Sequence, residues 1–559
     1  MISVAAPTPR GGGRTEWLAA ELARPAAYAH PVQAVEVRRT LVSLLFFAGE
    51  RVYKVKQELD LGFIDASTLA LRRFLCAEEV RLNARLAPGV HLGVVPITRG
   101  PDGHLRFGSA GAKAQGEPVE GETVEGEVVE WAVEMVRLPA ELMLASLLER
   151  GVVDNAQMNA LAELLAAFHA EAPAGLEVAE LGTPASIALL VEENFEQLRA
   201  FVGHPDGPLR SELEVLTPAQ HAFLRTRARG FLARERELLL ARVAGGRIRE
   251  GHGDLHAENI CQLPQGFVVY DRIEFNRRLR CLDVASDVAF LVMDLDARGF
   301  PGFGAYLAHR YAERAQDPEL GRVLGFYKGY RALVRAKVAA LAATRAGTHW
   351  EQREELRRQA MRYAQLAVGY ELPPTLVLLS GLPGSGKSFL APHLAGPLRG
   401  GVLHSDERRK RLAGLAAGAS ARASWGTGLY TPERRLGTYR ALLEDALAML
   451  QAGRSVVVDA SFARAEFRQP FVDAAVRLGV PWCLARVEAP EDIVRARLAA
   501  RTHGPSDADF EVYRHERAAF EAPDELPGGH VLTLASMAGP PEELVSQVLE
   551  RLIHLGRAT

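Results

Sequence analysis

Residues 375–389 read TLVLLSGLPGSGKSF, and this stretch decides the fold of the C-terminal part of the chain. It begins with a short apolar run, Leu376–Leu379, which is typical of a strand buried on both faces of a parallel sheet. The rest matches the phosphate-binding pattern G-x-x-x-x-G-K-[S/T] at every position and opens a helix. A plain glycine turn is the alternative, but the strand context that the pattern requires is present. The stretch therefore predicts a P-loop.

The residues of this loop have separate predicted roles toward ATP. Its glycines let the backbone adopt positive φ and approach an anion closely. Backbone N–H groups and the helix N-terminus hold phosphate oxygens. Lys387 is predicted to reach the β and γ phosphates, and the Ser388 hydroxyl to bind Mg²⁺. The predicted nucleotide-binding residues are Gly381, Gly384, Ser385, Gly386, Lys387 and Ser388.

Strand patterns follow the P-loop, and helical patterns separate them. VLHSD predicts a second strand ending in Asp406, and SVVVDASF predicts a third strand ending in Asp459. PWCLARVEA and HVLTLA predict a fourth and a fifth strand. This alternation predicts a doubly wound α/β fold, in which ligands gather at the carboxyl ends of parallel strands. Asp459, in a position like that of Walker B, is therefore a candidate for the Mg²⁺ shell.

A second chemical motif lies further towards the N-terminus. His252, Asp254 and Asn259 form H-x-D-x-x-x-x-N, and a predicted strand at 266–270 then leads to Asp271. Phosphoryl transfer to an alcohol uses a carboxylate beside the attacking hydroxyl, and Asp254 is placed for that role. Asn259 and Asp271 supply the oxygen ligands that Mg²⁺ needs. His252 is interpreted as a brace for the loop.

Two aspartates of the apolar segment that follows have predicted structural roles. Asp283 is expected to cap the helix that begins there. Asp287 lies within the apolar pattern, where a buried carboxylate must be hydrogen-bonded. We therefore interpret Asp287 as an anchor for the backbone of the catalytic loop.

The N-terminal part contains a predicted β-hairpin followed by an amphipathic helix. TLVSLLFFAG and RVYKVK are the two strands, and Lys54 and Lys56 share one face of the second strand. The helix over 70–86 contains Glu78 and Glu79. A strand lysine paired with a glutamate of the next helix positions ATP phosphates in protein-kinase folds. By residue pattern either glutamate fits, and exposed surface charge is the alternative.

Composition sets broad limits on the function. The 559 residues suggest about three or four folding units. The net charge of −3 does not favour a nucleic-acid binder, although a local basic groove remains open. Four scattered cysteines without a C-x-x-C pair argue against a disulfide framework or a zinc site and fit a reducing cytosol. Without a signal-peptide pattern or an apolar run of about 18 residues, we expect a cytoplasmic protein with no membrane span.

HGDLHAENI and VVYDRIEF resemble the catalytic and metal loops of the aminoglycoside phosphotransferase family. In this chain the region with these two loops is joined to a P-loop region. With that combination, the chain is similar over nearly its whole length to bifunctional aminoglycoside phosphotransferase/ATP-binding proteins. The resemblance implies a two-lobed protein-kinase-like fold with Asp254 as catalytic base and Asn259 and Asp271 as metal ligands. It also implies Lys54 as the phosphate lysine and Glu79 as its partner.

The chain departs from protein kinases in two places. The first hairpin has no G-x-G-x-x-G, so the phosphate cover differs. The metal loop reads Asp271-Arg-Ile-Glu274 and not Asp-Phe-Gly. Glu274 is expected either to add a metal oxygen or to pair with Arg272.

The arginine-rich segment over 495–517 resembles the lid of small P-loop kinases, including polynucleotide 5′-kinases, gluconate kinases and zeta-type toxins. In the polynucleotide kinase pattern, an aspartate after the second strand takes the substrate proton and an arginine follows three residues later. Here these are Asp406 and Arg409, with a helix N-cap as the alternative role for Asp406. The lid arginine is either Arg497 or Arg501.

These patterns predict four regions: a disordered N-terminus over 1–14, an N-terminal kinase-like lobe over 15–138, a helical lobe over 139–370, and a P-loop domain over 371–559. We expect two ATP- and Mg²⁺-dependent phosphotransferase sites acting on small hydroxylated molecules. A regulatory ATPase is one alternative for the P-loop domain. A nucleic-acid 5′-hydroxyl kinase, permitted by the basic run 408–411, is the other. A binding-only pseudokinase is a further alternative for the N-terminal part.

Overall fold

The computed structural model describes residues 12–108, 126–203, 213–345, 349–416, 431–500, 509–537 and 539–557. The chain divides into two compact units, and each is formed by three stretches. The first unit comprises Met1–Val191, Phe231–Arg331 and Thr344–His349, and the second comprises Glu192–Gly230, Ala332–Ala343 and Trp350–Thr559. The units thus group segments from both sides of the boundaries predicted near 138 and 370, and those boundaries remain predictions.

The first unit begins with a six-stranded antiparallel sheet in the order β1-β2-β3-β6-β4-β5. Its strands are β1 (Val35–Arg39), β2 (Ser43–Ala48), β3 (Arg51–Lys56), β4 (His91–Arg99), β5 (Leu105–Phe107) and β6 (Glu127–Val136). Two helices, α1 (Gly12–Leu22) and α2 (Leu69–Asn83), accompany it. The predicted hairpin is therefore confirmed as β2 and β3. The N-terminal prediction is wrong for residues 12–14, which belong to α1, while residues 1–11 lie outside the described part.

Local sequence explains the elements that position the first site. Gly49 turns the chain between β2 and β3 at a φ of 62°, a left-handed conformation that glycine adopts without a steric penalty. Thr68 caps α2, because its side chain accepts a hydrogen bond from the Leu71 N–H at 3.2 Å. Lys54 and Lys56 are both buried on the same face of β3, as their spacing predicts.

Helices form most of the chain between β6 and the P-loop, as their apolar spacing predicts. They are α3 (Leu144–Glu149), α4 (Asn155–Glu171), α5 (Leu176–Leu181), α6 (Pro184–Leu198), α7 (Pro218–Arg234), α8 (Arg236–Ala244), α9 (Arg277–Arg280), α10 (Val284–Ala297), α11 (Pro301–Arg314), α12 (Leu320–Ala343) and α13 (Trp350–Glu371). Four short strands form two antiparallel pairs: β7 (Ile248–Glu250) with β10 (Cys281–Asp283), and β8 (Ile260–Leu263) with β9 (Gly266–Val269).

A buried arginine fixes the start of α10. Arg242 lies on α8 and binds Asp283 through Nε at 2.6 Å and Asp317 through Nη1 at 2.8 Å. Asp283 also caps α10, as predicted, by accepting a hydrogen bond from the Ala285 N–H at 2.9 Å. The two carboxylates compensate a guanidinium that is fully buried. This cluster therefore holds α8, α10 and the loop before α12 together.

The second unit contains a five-stranded parallel sheet in the order β12-β13-β11-β14-β15, as the strand and helix alternation predicts. Its strands are β11 (Leu376–Ser380), β12 (Gly401–His404), β13 (Val456–Asp459), β14 (Trp482–Glu488) and β15 (Val531–Ala535). Its further helices are α14 (Lys387–Ala395), α15 (Ser405–Leu412), α16 (Pro432–Gln451), α17 (Ala465–Leu478), α18 (Glu491–Ala499), α19 (Phe510–Ala518) and α20 (Pro541–Arg557). One prediction needs correction: β12 ends at His404, and Asp406 lies in the first turn of α15.

Residues that are far in sequence from the C-terminal helix α20 pack on it within the second unit. Gln220 Nε2 on α7 donates to the Ser546 carbonyl oxygen on α20 at 3.2 Å. Gln365 Nε2 on α13 donates to Ser546 Oγ at 2.9 Å, and Arg357 Nη2 binds Glu543 Oε1 at 2.8 Å. Both glutamines are buried. The segments 192–230 and 350–371 are therefore integral to this unit.

All four cysteines are buried and free, in agreement with the absence of a predicted disulfide framework. Within the described ranges, none of the helices combines the length and the apolar character that a membrane crossing requires.

We predict that Arg242→Met lowers the stability of the first unit by about 3–5 kcal/mol, because it leaves two buried carboxylates without their cation. Arg322→Met is the matched control, since Arg322 is 58% exposed and pairs with Glu235 at the surface. It is expected to cost less than about 1 kcal/mol. Hydrogen exchange of peptides from α8 and α10, followed by mass spectrometry, measures the first unit separately. Equal protection in both variants would contradict the structural role of Arg242.

Candidate functional site

The P-loop joins β11 to α14 in the conformation that phosphate binding requires. Gly381, Gly384 and Gly386 have φ values of 147°, 77° and 108°. A Cβ atom on Gly381 would lie 2.4 Å from the Val487 carbonyl oxygen on the neighbouring strand β14. Glycine is therefore required at this position for both conformation and space.

Lys387, Ser388 and Asp459 meet at the carboxyl end of the sheet, as predicted. Lys387 Nζ donates to the Leu382 carbonyl oxygen across the loop at 3.0 Å. Asp459 ends β13 and receives a hydrogen bond from His404 Nδ1 at 2.8 Å. Burial raises the pKa of Asp459, but the His404 and Ser388 hydrogen bonds and the Lys387 charge together hold it below its ordinary value. Asp459 is therefore an anionic oxygen donor beside the P-loop.

A cavity of about 320 Å³ opens in front of these residues. Side chains at its wall include Lys387, Ser388, His404, Asp406, Arg409, Asp459, Arg497 and Glu516. The predicted catalytic residues of this unit thus share one space with most of its predicted nucleotide-binding residues; Gly381 and Ser385 are not among the residues that line it. Hydroxyl and carboxylate oxygens next to a lysine fit Mg²⁺ bound with nucleotide phosphates, and here Ser388 and Asp459 are the residues that would hold it.

Asp406 and Arg409 form an ion pair along α15. The distance from Asp406 Oδ1 to Arg409 Nη1 is 2.6 Å. The alternative role of Asp406 as a helix N-cap is wrong, because His404 occupies the N-cap position. The carboxylate therefore faces the cavity from within the first turn, and its role as a base remains a prediction.

Of the two candidate lid arginines, Arg497 lies on α18 and contacts the P-loop itself. Its Nη1 donates to the Ser385 carbonyl oxygen at 3.0 Å and to Ser536 Oγ at 3.0 Å. Arg501 lies outside the described residues. Arg497 thus braces the phosphate loop in this structure, and the choice between the two arginines remains open.

Sequence reasoning missed Glu516, which lies on α19 and lines the same cavity. The segment was interpreted through its arginines, although Val512, Tyr513 and Glu516 are its buried residues. Their spacing of one, three and four positions is that of a single helix face. A glutamate on an otherwise apolar face was therefore the available signal.

The first unit brings Lys54, Glu79 and Asp271 together. Lys54 Nζ lies 2.8 Å from Glu79 Oε1 and also binds the Asp271 carboxylate. Lys56 binds the second oxygen of Glu79, together with the Glu274 carboxylate. Glu79 is fully buried, so it is the partner of the strand lysine, whereas Glu78 binds Arg81 at the surface.

Burial and ion pairing shift the pKa values of the groups in this cluster in opposite directions. Burial alone would raise the pKa of Glu79 and lower that of Lys54. The two lysines lower the pKa of Glu79 below its ordinary value, and the carboxylates raise that of Lys54 well above its ordinary value. His91 lies 3.9 Å from Glu79, and burial lowers its pKa to about 4. The cluster is therefore ionic, with a neutral histidine beside it at neutral pH.

The predicted catalytic loop, which contains His252, Gly253 and Asp254, is held by its backbone. Asp287 accepts hydrogen bonds from the His252 and Gly253 N–H groups at 2.5 and 2.8 Å, which confirms its predicted role as an anchor. His252 Nε2 donates to the Tyr270 carbonyl oxygen at 2.9 Å, and its Nδ1 accepts from the Asp254 N–H at 3.2 Å. Burial lowers the pKa of His252 to about 4, so the ring is neutral at neutral pH. These contacts support its interpretation as a brace.

The loop places Asn259 and Asp271 at adjacent ends of the β8–β9 pair. The Tyr270 N–H donates to the Asn259 carbonyl oxygen at 3.0 Å. Asn259 Nδ2 donates to the Asp254 carbonyl oxygen at 3.0 Å, which leaves Oδ1 as its acceptor atom. Asp271 has a φ of 64°, an uncommon left-handed conformation. An amide and a carboxylate oxygen suit Mg²⁺, so both residues fit the predicted metal site.

The predicted metal loop, residues 271–274, differs from one of its two predicted arrangements at Glu274. Its carboxylate pairs with Lys56 and not with Arg272. Arg272 instead donates to backbone carbonyl oxygens, including that of Leu82 at 2.7 Å and that of Gly251 at 2.8 Å. The expected pairing with Arg272 is therefore wrong, because carbonyl groups on two sides already satisfy that guanidinium.

A family model described as an AAA domain matches residues 376–523. This range begins at β11 and contains the P-loop, Asp406, Asp459 and α19. Together with the parallel sheet, it identifies this region as a P-loop nucleotide-binding domain. The match does not extend to the first unit, for which the resemblance to aminoglycoside phosphotransferases stays a prediction.

An uncharacterized protein of Mycobacterium tuberculosis is 30% identical to the chain over 528 residues, which cover 93% of this chain and 96% of that protein. The chain belongs to the same family as this mycobacterial protein. An uncharacterized protein of Mycobacterium bovis aligns with the same identity and the same coverage. Membership of this family therefore extends over both units.

Solved structures align with about a third of the chain. A gluconokinase from Sinorhizobium meliloti is 18% identical, with a TM-score of 0.25, and the alignment covers 33% of this chain and 95% of that chain. The Mycobacterium tuberculosis APS kinase CysC in complex with AMPPNP and APS is 20% identical, with a TM-score of 0.25, over 32% of this chain and 98% of that chain.

We predict that Glu79→Gln lowers the stability of the first unit by about 3 kcal/mol, because it breaks buried pairs with two lysines. The matched control is Glu78→Gln, the neighbouring residue with a surface partner, which should cost less than about 1 kcal/mol. Hydrogen exchange of β3 and α2 peptides measures both. If the two variants lose protection equally, Glu79 is not the central partner of the lysines.

We predict that Gly381→Ala destabilises the second unit by about 1–3 kcal/mol, through backbone strain and the close approach of Val487. Gly437→Ala on α16 is its control, because nothing lies within 4 Å of the added Cβ and alanine favours a helix by up to about 1 kcal/mol. Exchange protection of β11 and β14 should fall in the first variant and hold or rise in the second. Unchanged protection in Gly381→Ala would mean that the two strands tolerate a side chain there.

Proposed function

We propose that the chain is an ATP-dependent phosphotransferase with one nucleotide site in each unit, both acting on hydroxyl groups of small molecules. The main support is the pairing, in each unit, of a lysine for phosphate with an oxygen donor for Mg²⁺ and a separate carboxylate. In the first unit these are Lys54, Asp271 and Asp254. In the second unit the corresponding residues are Lys387, Asp459 and Asp406, which line one cavity.

In the first unit, Asp254 accepts the proton of the acceptor's hydroxyl group while the oxygen of that hydroxyl attacks the γ-phosphorus of ATP. The bond from that phosphorus to the bridging oxygen of ADP breaks in the same step. Lys54, held by Glu79, neutralises charge on the phosphates. Asn259 and Asp271 would hold Mg²⁺, which neutralises charge on the transferring phosphoryl group when bound. Catalysis here is by position and charge, since no side chain forms a covalent intermediate.

In the second unit, Asp406 has the corresponding role of proton acceptor. Lys387 and the loop N–H groups bind the phosphates, and Ser388 with Asp459 would hold Mg²⁺. Arg409, paired with Asp406 at 2.6 Å, keeps that carboxylate oriented. A regulatory ATPase remains the second candidate function for this unit, because the P-loop contacts by themselves serve either reaction. The ion pair of Asp406 with Arg409 on the cavity wall places a carboxylate where an acceptor hydroxyl would bind, and this favours a kinase.

The two sites can be separated with point variants of the full chain. We predict that Asp254→Ala lowers the rate of phosphorylation of the first unit's acceptor at least about a hundredfold and leaves that of the second unit's acceptor intact. Lys387→Ala is expected to have the reverse effect, of the same size. Transfer of labelled γ-phosphate to aminoglycosides, amino sugars, sugar acids, nucleosides and 5′-hydroxyl oligonucleotides measures this. Glu258→Ala and Arg477→Ala, both at exposed positions, are the matched controls.

Three results would revise the proposal. If one substitution abolishes every activity, the sites are not autonomous. If phosphate is released without a labelled acceptor and Lys387→Ala removes the release, the second unit is a regulatory ATPase. If only oligonucleotides are labelled and binding weakens steeply with salt, the second unit is a nucleic-acid kinase.

A further inference from the structure

The cavity of the second unit contains a buried carboxyl group that the proposed reaction does not use. Glu516 is 7% exposed and lies on the wall shared with Asp406 and Lys387. Its Oε1 accepts a hydrogen bond from Arg435 Nη2 at 3.4 Å. Its Oε2 has no hydrogen-bond partner in the described part of the chain. A buried oxygen without a partner is costly, so a donor that enters the cavity would be stabilised there.

The charges around Glu516 indicate what kind of donor fits. Burial is the main cause that raises its pKa, and Asp406 adds to this, while Arg435, Lys387 and Arg409 act in the opposite direction. Both arginines have carboxylate partners: Arg409 binds Asp406, and Arg435 binds Glu516. The part of the cavity wall around Asp406 and Glu516 therefore presents carboxylate oxygens that can accept hydrogen bonds, next to arginines that are already paired. A neutral donor such as a hydroxyl suits this surface better than an anion does.

We propose that Glu516 is a specificity-determining residue of this unit's acceptor site and binds a second hydroxyl of a polyhydroxylated small molecule whose first hydroxyl faces Asp406. This inference rests on the kinase function proposed above. Both the ionised and the neutral carboxyl group can accept the hydrogen bond. An alcohol with a single hydroxyl leaves Oε2 unsatisfied, and the phosphodiester of an oligonucleotide adds an anion beside two acidic residues. The acceptor class is therefore a polyol or a sugar.

The first test compares acceptor binding in matched variants of the full chain. We predict that Glu516→Ala raises the KM for the best polyhydroxylated acceptor by about tenfold to a hundredfold, the range for a hydrogen bond to a charged group. The KM for ATP should change less than about twofold, because Glu516 is not among the nucleotide ligands. Glu511→Ala is the control on the same helix, since Glu511 is 79% exposed. Glu516→Gln, which keeps the size of the side chain, should raise the acceptor KM less than alanine does.

The second test identifies the hydroxyl. Ribose, gluconate, N-acetylglucosamine, adenosine and glycerol are assayed first, and Lys387→Ala confirms that the second unit is responsible. Single deoxy analogues of the best acceptor are then compared in the wild type and in Glu516→Ala. One analogue should lose at least about tenfold in kcat/KM with the wild type and less than about twofold with the variant, because both changes remove the same contact.

The outcomes separate this inference from the function on which it rests. If the wild type phosphorylates no acceptor, the kinase proposal is overturned, and this inference with it. Phosphorylation by the wild type with an unchanged acceptor KM in Glu516→Ala would overturn the role of Glu516 alone. Additive effects of the deoxy analogue and the variant would do the same. A rise in the KM for ATP equal to that for the acceptor would assign Glu516 a structural role instead.

Discussion

A buried charge requires a partner of opposite sign, and this constraint arranges the candidate site of the first unit. Glu79 is fully buried, and two lysines from one strand compensate it. The same lysines bind Asp271 and Glu274, so strand β3, helix α2 and the segment 271–274 are held in one ionic cluster. Segments that are some 200 positions apart in sequence are brought together in this way. The geometry of the site thus follows from desolvation and not from the local conformation of any one element.

Patterns within a few residues were sufficient for much of this structure. The P-loop, the five parallel strands and the Asp459 position follow from apolar runs and a motif, which depend on local backbone geometry alone. The same holds for the anchoring of the catalytic loop by Asp287, since a carboxylate in an apolar helix needs donors nearby. The end of β12 was misplaced by two residues, because a strand and the helix that follows it without a turn residue leave no signal between them.

Side-chain pairing over long distances was beyond such patterns. Glu78 and Glu79 are adjacent, so spacing did not distinguish them, and the fold decides by burying Glu79 fully and leaving Glu78 partly exposed. Glu274 was expected either to add a metal oxygen or to pair with Arg272, yet the carbonyl groups around that guanidinium leave the carboxylate to Lys56. Glu516 stands out in the sequence as a glutamate on an apolar helix face, but only the tertiary structure shows that it lines the same cavity as Asp406. In each case a tertiary contact, and not a propensity, determines the partner.

The way in which the second unit is built has a consequence for genetic dissection. Gln220 and Gln365 bind Ser546, and both lie before residue 371 in the sequence. A gene fragment encoding residues 371–559 alone would lack both stretches and expose the face of α20 that they cover. Proteolytic halves and domain swaps made at the proline pair after α13 would have the same defect. The two proposed activities therefore cannot be separated or exchanged between proteins by cutting the chain at this point, and inheritance of the whole chain is the arrangement that this connectivity favours.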